Sequence, residues 1–550
     1  MRSLSRRLGI IVSASLLVLS ACTKGKDGAT ATGSVPGGVF FRNLGAEPPS
    51  LNVIDPPDLS AQNIQGLIQE GLLTRNVDTY AWEPALAESW EISKDGKVFT
   101  FKIRSNAKFH DGKPVTVEDV KFSFDAIFND KYKAASVRSF YERLEKVEIV
   151  DASTIKIYAK DSYWGNFDVA AGLTVVPKHI YETLIDDSAA YSKSVVGTGP
   201  YKLGSWDRGK RITLVRNDEW YGKDLPHNAG QNNVGQVVFR FVQDPNIALE
   251  MLKKGDLDFL DIRTITQQTF VEKMVGPEWG KSVHKIKTTN KAPKSYGFIG
   301  WNFKNERFKD RDVRVALAHL MNRRLMIEKF RYGMSLPATG PLYQQSDYAS
   351  PDVKPLEFDP KKASEILAKD GWKDADKNGI LEKTIGGKKV ELKFSILTAN
   401  QDTMKYLTMY KEDAKQVGVE IEPKYLEWNS FIKLVDERNF DAVAMGWGGG
   451  AIDWEPNQIW HSKSEANQGS NFISYSNKEV DRLIDESRNV MDKSKRLPML
   501  RKVYELIAND APYLFLFNDK DVIYAHTDKM KKDKESYVYS IGTEFWKAAP

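Results

Sequence analysis

Cysteine is nearly absent: Cys22 is the only one in 550 residues. No disulfide can form within the chain, so a lone thiol near the N-terminus needs another use. Long apolar runs are also missing. Nothing approaches the roughly 18 residues that cross a bilayer, so no spanning helix is expected. Charge imbalance is small, because removing the three leader arginines Arg2, Arg6 and Arg7 from the formal +5 leaves +2. With no basic stripe interleaved with aromatics, nucleic acid is excluded as a partner. The seven histidines (His110, His179, His227, His284, His319, His461, His526) are scattered, with no pair at metal-ligand spacing. There is no G-x-S-x-G elbow. Gly204 to Lys210 matches G-x-x-x-x-G-K, but Arg211 stands where a phosphate loop needs Ser or Thr. These gaps leave the common nucleotide, metal and nucleophile chemistries without a candidate, and no cofactor is expected.

What is present begins with a leader. Three arginines precede the apolar run Leu8 to Leu19, followed by Leu19-Ser20-Ala21-Cys22. This predicts a lipoprotein signal peptide over 1–21, with Cys22 lipidated after cleavage. Residues 22–37 are rich in Gly, Ser, Thr and Ala and predict a flexible tether. The remainder, 41% hydrophobic and 28% charged overall, has the composition of a globular body. Its length predicts two or three domains.

The stretch "FHDGKPVTVEDV" (Phe109 to Val120) tests for a hidden active site, since it pairs His110-Asp111 with Glu118-Asp119. Local structure accounts for both pairs. Asp111-Gly112 is a turn dipeptide. Thr116 followed three residues later by Asp119 predicts a capping box. Val117, Val120, Phe124, Ile127 and Phe128 then follow at helical spacing.

Residues 390–447 predict strand-helix-strand-helix-strand, hence a parallel sheet with right-handed crossovers. Val390, Leu392, Phe394 and Ile396 alternate as one strand, Gly418 stops a helix over 401–417, and Trp428, Phe431, Ile432 and Val435 share a helical face. Ligands bind beyond the carboxyl ends of such strands. There stands "GWGGGAIDWEPNQIW", Gly446 to Trp460. Gly446, Gly448, Gly449 and Gly450 admit a ligand close to the backbone. Trp447, Trp454 and Trp460 offer apolar faces, and Asp453 and Glu455 offer negative charge. Candidate ligand-binding residues are therefore Gly446, Trp447, Gly448, Gly449, Gly450, Asp453 and Trp454. Asp374, Asp376 and Asn378 reproduce the first half of a calcium loop, but its twelfth position is Ile385 rather than Glu. An Asx-rich hairpin is the expected reading, with a weak calcium site as the alternative.

Seven segments carry a resemblance. They are Pro84 to Ile127, "VGTGPYKLGSW" (Val196 to Trp206), "RNDEWYGK" (Arg216 to Lys223), "ALEMLKKGDLDF" (Ala248 to Phe259), "FKDRDVRVALAHLMNR" (Phe308 to Arg323), "GWKDADKNGILE" (Gly371 to Glu382) and "DAVAMGW" (Asp441 to Trp447). In this order the chain resembles the family 5 solute-binding proteins of ABC importers. The resemblance implies an α/β fold of the type II periplasmic binding protein kind, with two hinged α/β lobes, an extra inserted domain and mixed sheets. It implies a discontinuous lobe I (38–70, 198–295 and 519–550), an inserted domain II (71–197) and a lobe III (296–518). It further implies a monomer held in the periplasm or cell envelope by the lipid on Cys22. Such a protein would capture oligopeptides between lobes and pass them to permease subunits, without catalysis, so no enzyme is expected. The aspartate that holds the ligand's α-amino group in peptide-binding members falls here at Gly450, which keeps an oligosaccharide binder as the alternative. A secreted glycosidase using Asp453 and Glu455 is the distant one.

Overall fold

The computed structural model describes residues 37–54, 58–132, 134–184 and 195–549. The leader, Cys22 and nearly all of the tether lie outside the described residues.

Three main sheets organise the chain. A seven-stranded sheet gathers distant segments in the order 283–288, 522–527, 259–260, 39–43, 236–240, 211–216, 201–207. Its central strand Val39–Asn43 pairs in parallel with Gln236–Arg240, so the first and the middle parts of the chain share one core around Phe40, Leu214, Phe239 and Tyr524. The nucleotide-loop look-alike is only a hairpin of this sheet, Tyr201–Asp207 with Arg211–Arg216.

Inserted between the first and second strands of that body is a four-stranded antiparallel sheet, with strands Ala87–Ile92, Val98–Ile103, Thr154–Ala159 and Leu144–Ile149 in spatial order. Alternation in Val98–Ile103 buries Phe99, Phe101 and Ile103 against the helix Val117–Phe128. That helix starts at the expected capping box: Thr116 Oγ1 accepts the Asp119 amide at 3.3 Å, and Asp119 Oδ2 accepts the Thr116 amide at 2.9 Å. His110 is structural too. Its Nε2 lies 3.0 Å from the Gly199 carbonyl and its Nδ1 accepts the Gly197 amide at 3.2 Å, fixing the returning chain to the inserted sheet. Asp111 meets His179 at 2.6 Å.

The six-stranded sheet holds the βαβαβ unit. Its order is 335–337, 513–519, 296–301, 442–447, 393–398, 420–425. Lys393–Thr398 pairs in parallel with both Glu420–Tyr425 and Ala442–Trp447, whereas Tyr296–Trp301 pairs antiparallel with Ala442–Trp447. The sheets are therefore mixed. One expectation is corrected: the alternating run from Val390 is not a single strand. Lys388–Glu391 turns back onto Glu382–Ile385 as a hairpin, and the core strand begins at Lys393. Two buried clusters flank this sheet, one around Trp301, Leu317 and Tyr410, the other around Phe298, Phe431 and Tyr504.

The chain passes between the seven- and six-stranded sheets only twice among the described residues. One crossing joins Val283–Thr288 to Tyr296–Trp301, and the other joins Tyr513–Asp519 to Val522–Thr527.

Candidate functional site

A cavity of about 880 Å³ opens beside both crossings. One wall comes from the seven-stranded body, with Ile262, Thr266, Gln267 and Gln268 following the strand Phe259–Leu260. The other comes from the six-stranded sheet, including Thr398 to Asn400, Ala444 to Gly448, Leu516 and Phe517. The glycine-tryptophan strand end thus faces an interlobe gap, as the doubly-wound rule predicts.

The strand register gives this wall its chemistry. Along Ala442–Trp447, one edge is fully paired, from Tyr296↔Trp447 to Trp301↔Ala442. The other edge is paired only at Ile396↔Ala442 and Leu397↔Val443, because the 393–398 strand ends there. From Ala444 to Trp447 that second edge has no ladder partner among the described residues, and it borders the cavity. An unpaired strand edge is a row of main-chain donors and acceptors, ready to pair with an extended ligand.

The seven candidate binding residues divide into two groups. Gly446, Trp447 and Gly448 line the cavity. Trp447 is half-buried, stacked on Phe298 with ring centroids 6.2 Å apart, and its Nε1 lies 3.4 Å from the Tyr513 hydroxyl. The other four do not line it. Gly449 packs on the backbone of Pro293 and Lys294, inside the first crossing, and Gly450 turns the chain with φ +66°. Asp453 is buried and already engaged: its Oδ1 accepts the Tyr348 hydroxyl at 2.7 Å and lies 2.7 Å from Lys493 Nζ. Burial pushes the Asp453 carboxyl up, but hydrogen bonding and charge from Lys493 outweigh it and hold it below the usual carboxylate range. Trp454 is buried against Tyr504. Trp460, also expected to offer a face, is 1% exposed and packs on Tyr513. The rigid faces expected from Trp454 and Trp460 are core.

Glu455, the second acid of the glycosidase alternative, accepts the Asn457 amide and lies 3.4 Å from Arg488 Nε. In the calcium-loop segment, Asp374 accepts the Asn378 and Gly379 amides, while Lys389 Nζ sits 2.5 Å from both Asp376 and Glu382. An ammonium thus stands among the oxygens that a cation would need, in the Asx-rich hairpin that the sequence predicts.

Helical spacing places Trp428 on the packed face with Phe431, Ile432 and Val435. The structure corrects this, because Trp428 is 57% exposed and lines the cavity, while its neighbours Phe431 and Val435 are buried. Trp428 is the first residue of its helix, where the apolar stripe runs out over the gap. Lys329, Arg331 and Lys405 also reach the cavity. Arg331 pairs with Asp519 at 2.6 Å, and Gln267 of the facing body donates to the same carboxylate at 3.1 Å. Lys405 lies 3.9 Å from Asp402. No element of the sequence pattern marks these cations as site residues, since they lie on elements that meet only in the folded chain.

Comparison with known proteins agrees with this architecture. The profile of the bacterial extracellular solute-binding proteins, family 5 (middle), matches residues 81–470. The oligopeptide-binding protein AppA of Bacillus subtilis is 29% identical over 520 residues, covering 91% of each chain. The solved structure of the Bacillus subtilis AppA in complex with a nonapeptide superposes with a TM-score of 0.68 at 27% identity, over 94% of this chain and 99% of that one. The Helicobacter pylori periplasmic binding protein DppA, solved with the peptide STSA, gives a TM-score of 0.69 at 22% identity, over 94% of this chain and 98% of that one.

Proposed function

The chain belongs to the bacterial extracellular solute-binding proteins of family 5, and from that premise we propose that it captures oligopeptides in the interlobe cavity and delivers them to an ABC import permease. The observation that carries the reading is the unpaired edge from Ala444 to Trp447 beside a cavity of about 880 Å³. A peptide laid along that edge gains main-chain hydrogen bonds that do not depend on its side chains, which suits a carrier of many sequences. Trp428 offers an exposed indole for apolar side chains, and Lys329 and Lys405 offer positive charge to an acidic group or chain end. AppA of Bacillus subtilis, seen with a nonapeptide, supports a ligand of several residues.

The lobes in this reading are 38–70 with 198–295 and 519–550, the inserted 71–197, and 296–518. The crossings near 289–295 and 520–521 are hinges. Ligand stabilises the closed arrangement by touching both walls, and the permease reads closure. The site residues are the main chain from Ala444 to Gly448 with Trp447 and Trp428. Asp453 and Glu455 are held in contacts between structural elements and have no catalytic part. Cys22, lipidated at the cell surface or in the periplasm, tethers the monomer through residues 22–37.

Thermal melting of the chain against pools of di-, tri-, penta- and nonapeptides, with oligosaccharides as the second arm, tests the reading. A ligand at 100 times its Kd adds about 2.7 kcal/mol, so the longer peptide pools should raise Tm by several degrees. A rise with oligosaccharides and none with any peptide pool overturns it.

A further inference from the structure

Outside the cavity lining, the inserted domain meets the C-terminal helical pair, Lys478–Arg488 and Lys493–Asp510. Two arginines of that pair lie over adjacent aromatic rings at the start of the helix Trp164–Ala171. The Arg488 guanidinium is 4.6 Å from the centroid of Tyr163, and that of Arg496 is 4.2 Å from Trp164. Both distances fall in the range of cation–π attraction, which strengthens when water is excluded. Arg496 and Trp164 are buried, at 4% and 8% exposure.

The surroundings are complementary. Arg143 of the inserted domain lies 4.8 Å from the same Tyr163 ring, so two cations share one aromatic. Each has its own acid: Asp161 is 2.5 Å from Arg143, and Glu455 is 3.4 Å from Arg488. Between the two helices, Met491 packs on the core of the inserted domain. A Cβ added at Gly96 would come within 2.9 Å of its sulfur. Arg496 also fixes that connection, donating to the carbonyls of Val490 and Met491 at 2.7 and 3.1 Å.

We propose that Arg488 and Arg496 are a closure latch: by clamping Tyr163 and Trp164 they hold the inserted domain against lobe III in part of the population before ligand arrives, and ligand completes the shift. They are positioning residues, and Glu455 serves by orienting Arg488. Because the contact joins the two parts that separate when the cleft opens, its strength sets the closed population and hence the apparent affinity for any ligand. The proposal rests on the lobe division given above.

Small-angle X-ray scattering of the ligand-free chain tests it. A compact chain of this size has a radius of gyration of about 24 Å. Arg488→Ala should raise the wild-type value by about 1 Å through hinge opening, while circular dichroism stays unchanged. Arg488→Lys, which keeps a cation over the ring, should restore compactness. Tyr163→Leu repeats the test from the opposite side, should either variant fold poorly. A random nonapeptide pool should leave Arg488→Ala roughly tenfold faster than wild type. Equal radii for wild type, Arg488→Ala and Tyr163→Leu overturn the latch. A latch that fails while peptides still raise Tm leaves the binding reading intact, and peptides that never raise Tm sink the binding reading without touching the scattering result.

Discussion

Gly449 and Pro293 are in backbone contact: a Cβ at position 449 would stand 2.7 Å from the Pro293 carbonyl carbon. The loop leaving the cavity-lining strand therefore rests on the first crossing between the two sheets. Gly449→Ala must displace either the loop or the crossing, so it should cost about 1–3 kcal/mol and weaken nonapeptide binding together. Gly448→Ala is the control, because open space surrounds that position. It should melt as wild type does and lose affinity alone, since the new methyl group projects into the cavity. Thermal melts with and without peptide separate the two. Equal melting temperatures for both variants would contradict the contact.

Trp428 is an exposed side chain, and its removal leaves no core void. Trp428→Ala should therefore shift Tm by less than about 2 °C, as surface substitutions do. It should also weaken binding of peptides rich in apolar residues by about 1–2 kcal/mol, the scale of a lost aromatic anchor. Isothermal titration with apolar and polar peptide pools checks this. An unchanged affinity for both pools would remove Trp428 from the site.

Much of this was legible before folding. The capping box at Thr116 and the parallel unit from 393 to 447 follow from side-chain spacing, because both are local. The Gly446 to Gly448 wall follows from a general rule about strand ends. What stayed hidden depends on partners far along the chain. Nothing near Asp453 in sequence announces Tyr348 or Lys493, yet they decide that its carboxylate is engaged rather than free. Trp454 and Trp460 likewise look like binding faces in one dimension, and they become core only when Tyr504 and Tyr513 pack against them. Trp428 shows the converse, because periodicity names a helical face but not how far the facing layer extends.

Asp453→Asn should destabilise the chain by about 1–2 kcal/mol at pH 7, by removing charge-assisted bonds from Lys493 and Tyr348. The pH dependence has a definite sign. Lys493 holds the carboxyl below its ordinary value despite burial. The stabilisation is therefore complete above the unfolded value of about 4, and is lost as pH falls through the lower folded value. In urea melts wild type and variant should differ most at pH 7, and the gap should shrink as pH falls below about 4. A gap that does not shrink would mean that Asp453 acts through shape and not through charge.

Glu70 supplies the opposite sign. It sits where the inserted domain joins the seven-stranded body, accepting Trp220 Nε1 and the Tyr221 hydroxyl, each at 3.1 Å. Burial pushes its carboxyl from 4.5 up to about 7. Between those values the folded chain binds more protons than the unfolded one, so this group's contribution falls as pH rises and the penalty is complete above about pH 7. His110 and His526, both pushed down to about 4 by burial, withdraw stability as pH falls from 6.5 toward 4. Stability should therefore peak in mild acid, at about pH 5–7, with Glu70 setting the alkaline side. Glu70→Gln keeps an acceptor for both donors without the charge. It should stabilise the chain by about 2–3 kcal/mol at pH 8, and change little at pH 4.5, where the native side chain is already protonated. The difference between the two melts isolates Glu70, because both histidines are common to wild type and variant. A Glu70→Gln chain no more stable than wild type at pH 8 would mean that the carboxylate at this junction is solvated and paired, and that the acid optimum has another source.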